Sequence, residues 1–302
     1  MAETTIEWTA TTGPDGTVHT GYSFNAWVGC ERISPACRIC YAASWAKRTG
    51  QANLWEGERR RTTADYWKQP LKWNAKAKAL GVRLKVFCCS LADVFDNAVP
   101  SEWRADLFEL IGNTPDLDWL ILTKRIGNAH RMLDHVVAHW SDSDQVWDAK
   151  DWPNVWLGAT VANQAEVDRD VHKLVEVPAR VRFLSVEPML GPVDIRGHVE
   201  SCGDCDPCIG GAPKSCAVGW WYTSALHPDG IHWVIGGGES GHSAIPADLE
   251  WFRSLRRQCA NARTPYFMKQ LGGVRDKRGK IEDLPPDLRV REFPNSTTGE
   301  CE

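Results

Sequence analysis

A basic excess and a long apolar run are both missing from this chain. Its 302 residues carry a formal net charge of −4, which excludes a globally basic nucleic-acid binder. No apolar stretch approaches the roughly 20 residues needed to cross a bilayer. The opening MAETTIEWTA has no basic region followed by an apolar one, so no secretory signal is read there. The expectation is a cytoplasmic protein with no membrane partner. A dinucleotide-binding glycine fingerprint is lacking after the first β-rich run, which argues against an open doubly wound sheet.

What is abundant is cysteine, with eleven in the chain. With 43% hydrophobic residues a chain of this length buries a full core without disulfides. Metal ligation is then the better default for the cysteines.

Short β-rich runs recur near Phe24–Val28, Lys85–Ser90, Trp119–Thr123, Val155–Thr160, Arg182–Val186, His232–Gly236 and Pro265–Lys269. Helical stretches fill the gaps at Ala36–Thr49, Asp65–Leu80, Ser101–Asn113, Gly127–His139, Gln164–Val175 and Asp248–Ala260. Alternation of this kind predicts an α/β fold, a full or partial (β/α) barrel of mostly parallel strands. Polar residues fall at or just past the strand ends: Ser90, Asp93, Thr123, Lys124, Thr160, Asn163, Glu187, Glu239, Ser240, Lys269 and Gln270. Barrel enzymes place their chemistry there. The expected organisation is one barrel domain over 1–272, interrupted by a loop or hairpin at 11–23 and a cysteine-rich insertion at 196–230. A charged surface extension follows over 273–302.

The first cysteine cluster, GCERISPACRICYA, places Cys30, Cys37 and Cys40 in a C-x6-C-x2-C arrangement between the first strand and its helix. Three thiolates on one loop suit a [4Fe–4S] cluster with one iron left open. An open iron can chelate S-adenosylmethionine and pass an electron to its sulfonium, releasing a 5′-deoxyadenosyl radical for hydrogen abstraction. Zinc with a fourth ligand from elsewhere, or inert buried thiols, are the competing readings.

The chain resembles the phage-encoded three-cysteine-motif proteins, a radical-SAM-like group of unknown function. The stretches that carry the resemblance are TIEWT at 5–9, VGCERISPACRICYA at 28–42, SLADVF at 90–95, LTKR at 122–125, SVEPMLGP at 185–192, GGESG at 237–241 and FMKQLGG at 267–273. The resemblance implies a radical-SAM-type barrel, a host-cell cytoplasmic location, an electron donor, and a link to the separately encoded partner family named after the motif. The insertions at 11–23 and 196–230 depart from the usual pattern.

Among the strand-end residues, Asp93 with Ser90 is a candidate for the ammonium of the cosubstrate; helix capping is its structural alternative. Gly237, Gly238, Glu239 and Ser240 form a glycine-rich turn suited to close approach of an adenine edge or a carboxylate. Lys124, Glu187 and Lys269 are candidate catalytic groups, with a structural ion-pair network as the alternative. A second cluster, Cys202, Cys205, Cys208 and Cys216, is spaced C-x2-C-x2-C-x7-C and suits structural zinc or an auxiliary iron–sulfur cluster.

Residues 47–85 carry a local balance of +8, led by Arg59, Arg60 and Arg61. This reads either as a solvated surface or as a phosphate-tracking patch for a nucleic-acid or nucleotide substrate. The leading expectation is a radical-SAM-type iron–sulfur enzyme with a base or nucleotide as one candidate substrate. The alternatives are a metal-stabilised interaction protein that does no chemistry and a zinc-containing nucleotide-binding barrel.

Overall fold

The computed structural model describes residues 3–140, 145–196 and 230–294. A hairpin comes first, β1 (Thr11–Thr12) with β2 (Val18–His19), in the segment expected as a loop or hairpin. The sheet strands are β3 (Tyr22–Phe24), β6 (Leu84–Cys88), β7 (Leu117–Thr123), β8 (Val155–Thr160), β9 (Val181–Val186), β10 (Trp233–Gly237) and β11 (Tyr266–Gln270). Between β3 and β6, the short strands β4 (Trp27–Val28) and β5 (Arg60–Arg61) pair antiparallel with each other, outside the main sheet. The first barrel strand therefore ends at Phe24, earlier than expected. Trp27 and Val28 leave it to pair with the arginine run.

The seven sheet strands lie in the order β11-β10-β9-β8-β7-β6-β3, every pairing parallel. Sequential order, with helices between neighbouring strands everywhere but between β9 and β10 among the described residues, gives a curled half-barrel, the coarse architecture expected from the alternation. The helices are α1 (Tyr41–Arg48), α2 (Ala64–Trp67), α3 (Gln69–Leu80), α4 (Ser101–Gly112), α5 (Ile126–Ala138), α6 (Gln164–Glu176) and α7 (Leu249–Ala262). Asn163 and Asp248 cap α6 and α7 by accepting the backbone N–H groups of Glu166 and Glu250, which fixes where each crossover turns.

Strand alternation divides the apolar side chains into two cores. Along β8, Val155, Leu157 and Ala159 face the helices, while Trp156 belongs to an inner cluster with Phe87, Leu120, Phe183, Trp233, Ile235 and Phe267. Gly158 is the small residue this inner layer requires, because a Cβ there would lie 2.4 Å from the Phe183 ring. Trp8, in the short 3-10 turn Glu7–Thr9, inserts into the same cluster from the open side of the half-barrel. Trp8, Trp27, Trp73 and Trp156 are all buried: their part is core packing.

The terminal segments close the gap between the sheet edges. Glu3 bridges Tyr22 at one edge and Arg291 bridges Phe267 at the other. An ion pair of 2.8 Å from Arg291 Nη1 to Glu7 Oε1 joins the two segments. Residues 273–294 are thus integrated into the barrel rather than trailing over its surface: Leu284 and Leu288 are buried, and Met268 N–H donates to Val290 O at 2.8 Å. The sequence pattern conceals this because the segment is charged and Pro-containing, and its apolar anchors, Leu284, Leu288, Val290 and Phe293, follow neither a strand nor a helix period.

Candidate metal and ligand site at the barrel mouth

The C-terminal ends of the strands surround a cavity of about 600 Å³. Its wall includes Cys30, Cys37 and Cys40 from the loop after β4, together with Ser90, Asp93, Lys124, Glu187, Gly238, Glu239, Ser240 and Lys269 from strand ends. Gly237 excepted, the expected site residues among those described therefore converge on one space, at the end of the barrel where parallel-sheet enzymes gather functional groups.

The cysteine loop is held by polar groups from three different strand ends. After β7, Arg125 Nη1 donates to Cys30 Sγ at 3.5 Å and Nη2 to Glu31 O at 3.3 Å. After β8, Glu166 Oε1 accepts from Ser34 Oγ at 2.6 Å while Oε2 accepts the N–H of Ala162 at 2.8 Å. After β10, Glu239 Oε2 accepts from Arg38 Nη2, and the same nitrogen donates to Ser243 O at 2.9 Å. Arg38 sits between Cys37 and Cys40, so Glu239 anchors the part of the loop that carries two of the three thiols. Cys40 Sγ accepts the N–H of Ala43 at 3.5 Å and so caps α1. Burial raises the Cys30 thiol pKa. Burial opposes the charge on Arg125, but Asp93, Cys30 and Asp96 outweigh it and hold the guanidinium charged.

Asp93 is spent on scaffold. Its Oδ1 accepts from Thr123 Oγ1 at 2.7 Å and Phe95 N–H at 3.0 Å; its Oδ2 accepts Lys124 N–H at 3.1 Å and Arg125 Nη1 at 3.4 Å. With four donors on its two oxygens, Asp93 ties the ends of two strands together, and it caps no helix, since the next one, α4, has Pro100 as its N-cap. Ser90 is likewise engaged, accepting from Ser23 and Asn25 and donating to Asn25 Oδ1. Lys269 and Glu187 form an ion pair of 2.6 Å, as the network reading expected. The Lys124 ammonium has no hydrogen-bond or ion-pair partner among the described residues.

The glycines of the 237–241 turn accommodate other parts of the chain itself. A Cβ on Gly238 would lie 1.9 Å from Leu271 O, and one on Gly237 would lie 3.1 Å from the Glu187 side chain. Close approach does occur there, but by the segment after β11. Glu239 and Thr160 keep something in reserve: Glu239 Oε1 and Thr160 Oγ1 are buried without a hydrogen-bond partner, in residues that line the cavity. Such orphans are rare in folded proteins and call for an explanation such as a bound group.

Among the described residues, no three His, Cys, Asp or Glu side chains converge on one point as a single ion requires. A four-iron cluster places its thiolates on different irons and so makes no such demand. Cys202, Cys205, Cys208 and Cys216 lie outside the described residues, as does nearly all of the insertion expected at 196–230.

Arg59, Arg60 and Arg61, which lead the basic stretch, are each engaged within the chain. Arg59 pairs with Asp96 at 2.7 Å with both side chains buried, Arg61 pairs with Asp106 at 2.6 Å and lies over the Trp67 ring, and Arg60 donates to Gln51. Among the described residues, no helix is long and apolar enough to cross a membrane.

Arg38, Arg125 and Glu166 are not among the residues that the sequence points to. Arg125 had a usable signal, as the neighbour of Lys124 in LTKR. Glu166 was masked by its place three residues after the capping Asn163, where a glutamate is ordinary.

A family profile described as a protein of unknown function, DUF5131, matches residues 3–296. The chain belongs to this family. Comparison with curated proteins found no match, and neither did comparison with solved structures. The family match spans the half-barrel and both terminal segments that close it.

Proposed function

We propose that the protein is a radical S-adenosylmethionine-type iron–sulfur enzyme acting on a substrate held at the barrel mouth. The observation that carries this reading is the convergence of Cys30, Cys37 and Cys40 with the strand-end polar groups on one cavity. Those three thiolates would hold a [4Fe–4S] cluster. When bound, the cluster and its cosubstrate supply reductive cleavage of a sulfonium and a radical able to abstract hydrogen. The protein's own groups bind and position. Arg125, Glu166 and, through Arg38, Glu239 fix the cysteine loop from three sides, the outer support that metal ligands require. Lys124 offers an unpaired cation for a carboxylate or phosphate, and the unpartnered Glu239 Oε1 an acceptor for an N–H or O–H donor. The inner layer of Trp8, Phe87, Phe183 and Trp233 closes the floor against water. A lone zinc ion on this loop is the weaker reading, because no three ligands converge among the described residues.

The test is anaerobic purification and reconstitution, followed by a 5′-deoxyadenosine assay with a strong reductant. Iron and acid-labile sulfide that fall on substituting Cys30, Cys37 or Cys40, together with 5′-deoxyadenosine formation, are expected. Zinc alone, with no binding of S-adenosylmethionine, would overturn the reading.

A further inference from the structure

Outside the metal loop, the mouth cavity holds one more thiol among the described residues, that of Cys89. It directly follows Cys88, the last residue of β6. In a regular strand successive side chains point to opposite faces, so neighbouring cysteines would be kept apart. Here Cys89 has φ +59°, in the left-handed region that non-glycine residues seldom occupy and that commonly marks functional positions. The surrounding backbone holds it there: Cys89 N–H donates to Phe24 O at 2.7 Å, and Ala92 N–H donates to Cys89 O at 3.1 Å. The turn brings the two thiols into contact, with Cys88 Sγ donating to Cys89 Sγ at 3.7 Å.

The two differ in access. Cys88 is fully buried; Cys89 is 3% exposed and forms part of the cavity wall. A small reagent entering the mouth meets Cys89 first, and Cys88 stands behind it as the only thiol in contact among the described residues. Adjacency, contact, a left-handed backbone and one-sided access together make an attacking and resolving pair.

We propose that Cys88 and Cys89 form a reversible oxidation site, a vicinal dithiol that small two-electron oxidants reach through the mouth cavity. With a peroxide, Cys89 sulfur takes one oxygen as the sulfenic acid while the O–O bond breaks and water leaves. Cys88 sulfur then bonds to Cys89 sulfur, the S–O bond breaks, and the Cys88 proton leaves with that oxygen as a second water. An external dithiol resets the pair, becoming a disulfide itself as both thiols regain their protons. Closure from 3.7 Å to an S–S bond of about 2 Å draws the Cys89 sulfur out of the cavity wall and towards the core. Burial raises the Cys88 thiol pKa. The site stands independently of whether the metal loop carries iron.

Tryptic cleavage after Lys85 and Arg104 releases a fragment with these two cysteines and no others. The test treats the reduced full chain anaerobically with one equivalent of hydrogen peroxide and maps that fragment by mass. The expected result is a loss of about 2 Da, reversed by dithiothreitol. In Cys88→Ala the loss disappears, and Cys89 becomes trappable as a dimedone adduct. A fragment that keeps two alkylatable thiols after Cys30, Cys37 and Cys40 have been oxidised would overturn the proposal. If Cys88→Ala does not fold, the wild-type chain decides through phenylarsine oxide. A bridging adduct on this fragment, released by a dithiol, is expected, and its absence counts against the site.

Discussion

Replacing Asp93 by alanine separates a scaffold residue from a ligand-binding one. Its side chain is 7% exposed and that of Arg125 is 8% exposed. Removing the carboxylate strands the N–H groups of Phe95 and Lys124 and leaves Arg125 with Asp96 at 3.9 Å as its remaining acid, and that acid already serves Arg59. Breaking a buried ion pair from one side costs about 3–5 kcal/mol, and each buried donor left unpaired about 1–3. With Asp96 offsetting much of the ion-pair loss, Asp93→Ala should cost about 3–4 kcal/mol and lower the melting temperature by about 5–6 °C. Asp93→Asn keeps the Oδ1 acceptor but turns an N–H group towards Lys124 N–H and the guanidinium, so it should fall between alanine and wild type. Urea unfolding followed by tryptophan fluorescence, with the slope checked for constancy, measures this. An alanine variant within about 1 kcal/mol of wild type would refute the scaffold assignment.

Three further outcomes follow from the geometry. Glu239→Gln weakens the hold on Arg38, and reconstituted protein should lose iron to a chelator about tenfold more readily, read as iron retained against time. Gly238→Ala forces a Cβ against Leu271 O and should destabilise by about 3 kcal/mol or more, visible in the same urea titration. Burial lowers the Lys85 pKa to about 8 from its ordinary 10.5, with Ala10 O and Thr11 Oγ1 as its acceptors. The unfolded chain then binds the extra proton between those values, so stability rises with pH across that window by about 3 kcal/mol. Lys85→Met should flatten the rise, and an unchanged slope would contradict it.

The architecture was legible because two periodicities ran cleanly. Segments such as Val155–Thr160 alternate between inner and outer cores, and the helical stretches between strands present one apolar face. Site location was legible too, since polar residues past strand ends gather at one mouth whatever their roles. The roles themselves were not. Asp93 and Gly238 look like ligand contacts in sequence, yet one is saturated by its own chain and the other accommodates Leu271. Arg38 and Glu166 act across more than a hundred residues of sequence, a separation that no local spacing reveals. Residues 273–294 were misread because their contribution is edge pairing and two buried leucines rather than a periodic face.

The most direct test of the central claim is the paramagnetic resonance of dithionite-reduced protein, recorded with and without S-adenosylmethionine. It is best measured with Cys202, Cys205, Cys208 and Cys216 replaced by serine, so that the second cysteine run contributes nothing. The account predicts an iron–sulfur signal that changes when S-adenosylmethionine is added and is absent after Cys37→Ala. A silent spectrum from metal-replete protein, or a signal indifferent to S-adenosylmethionine, would contradict it.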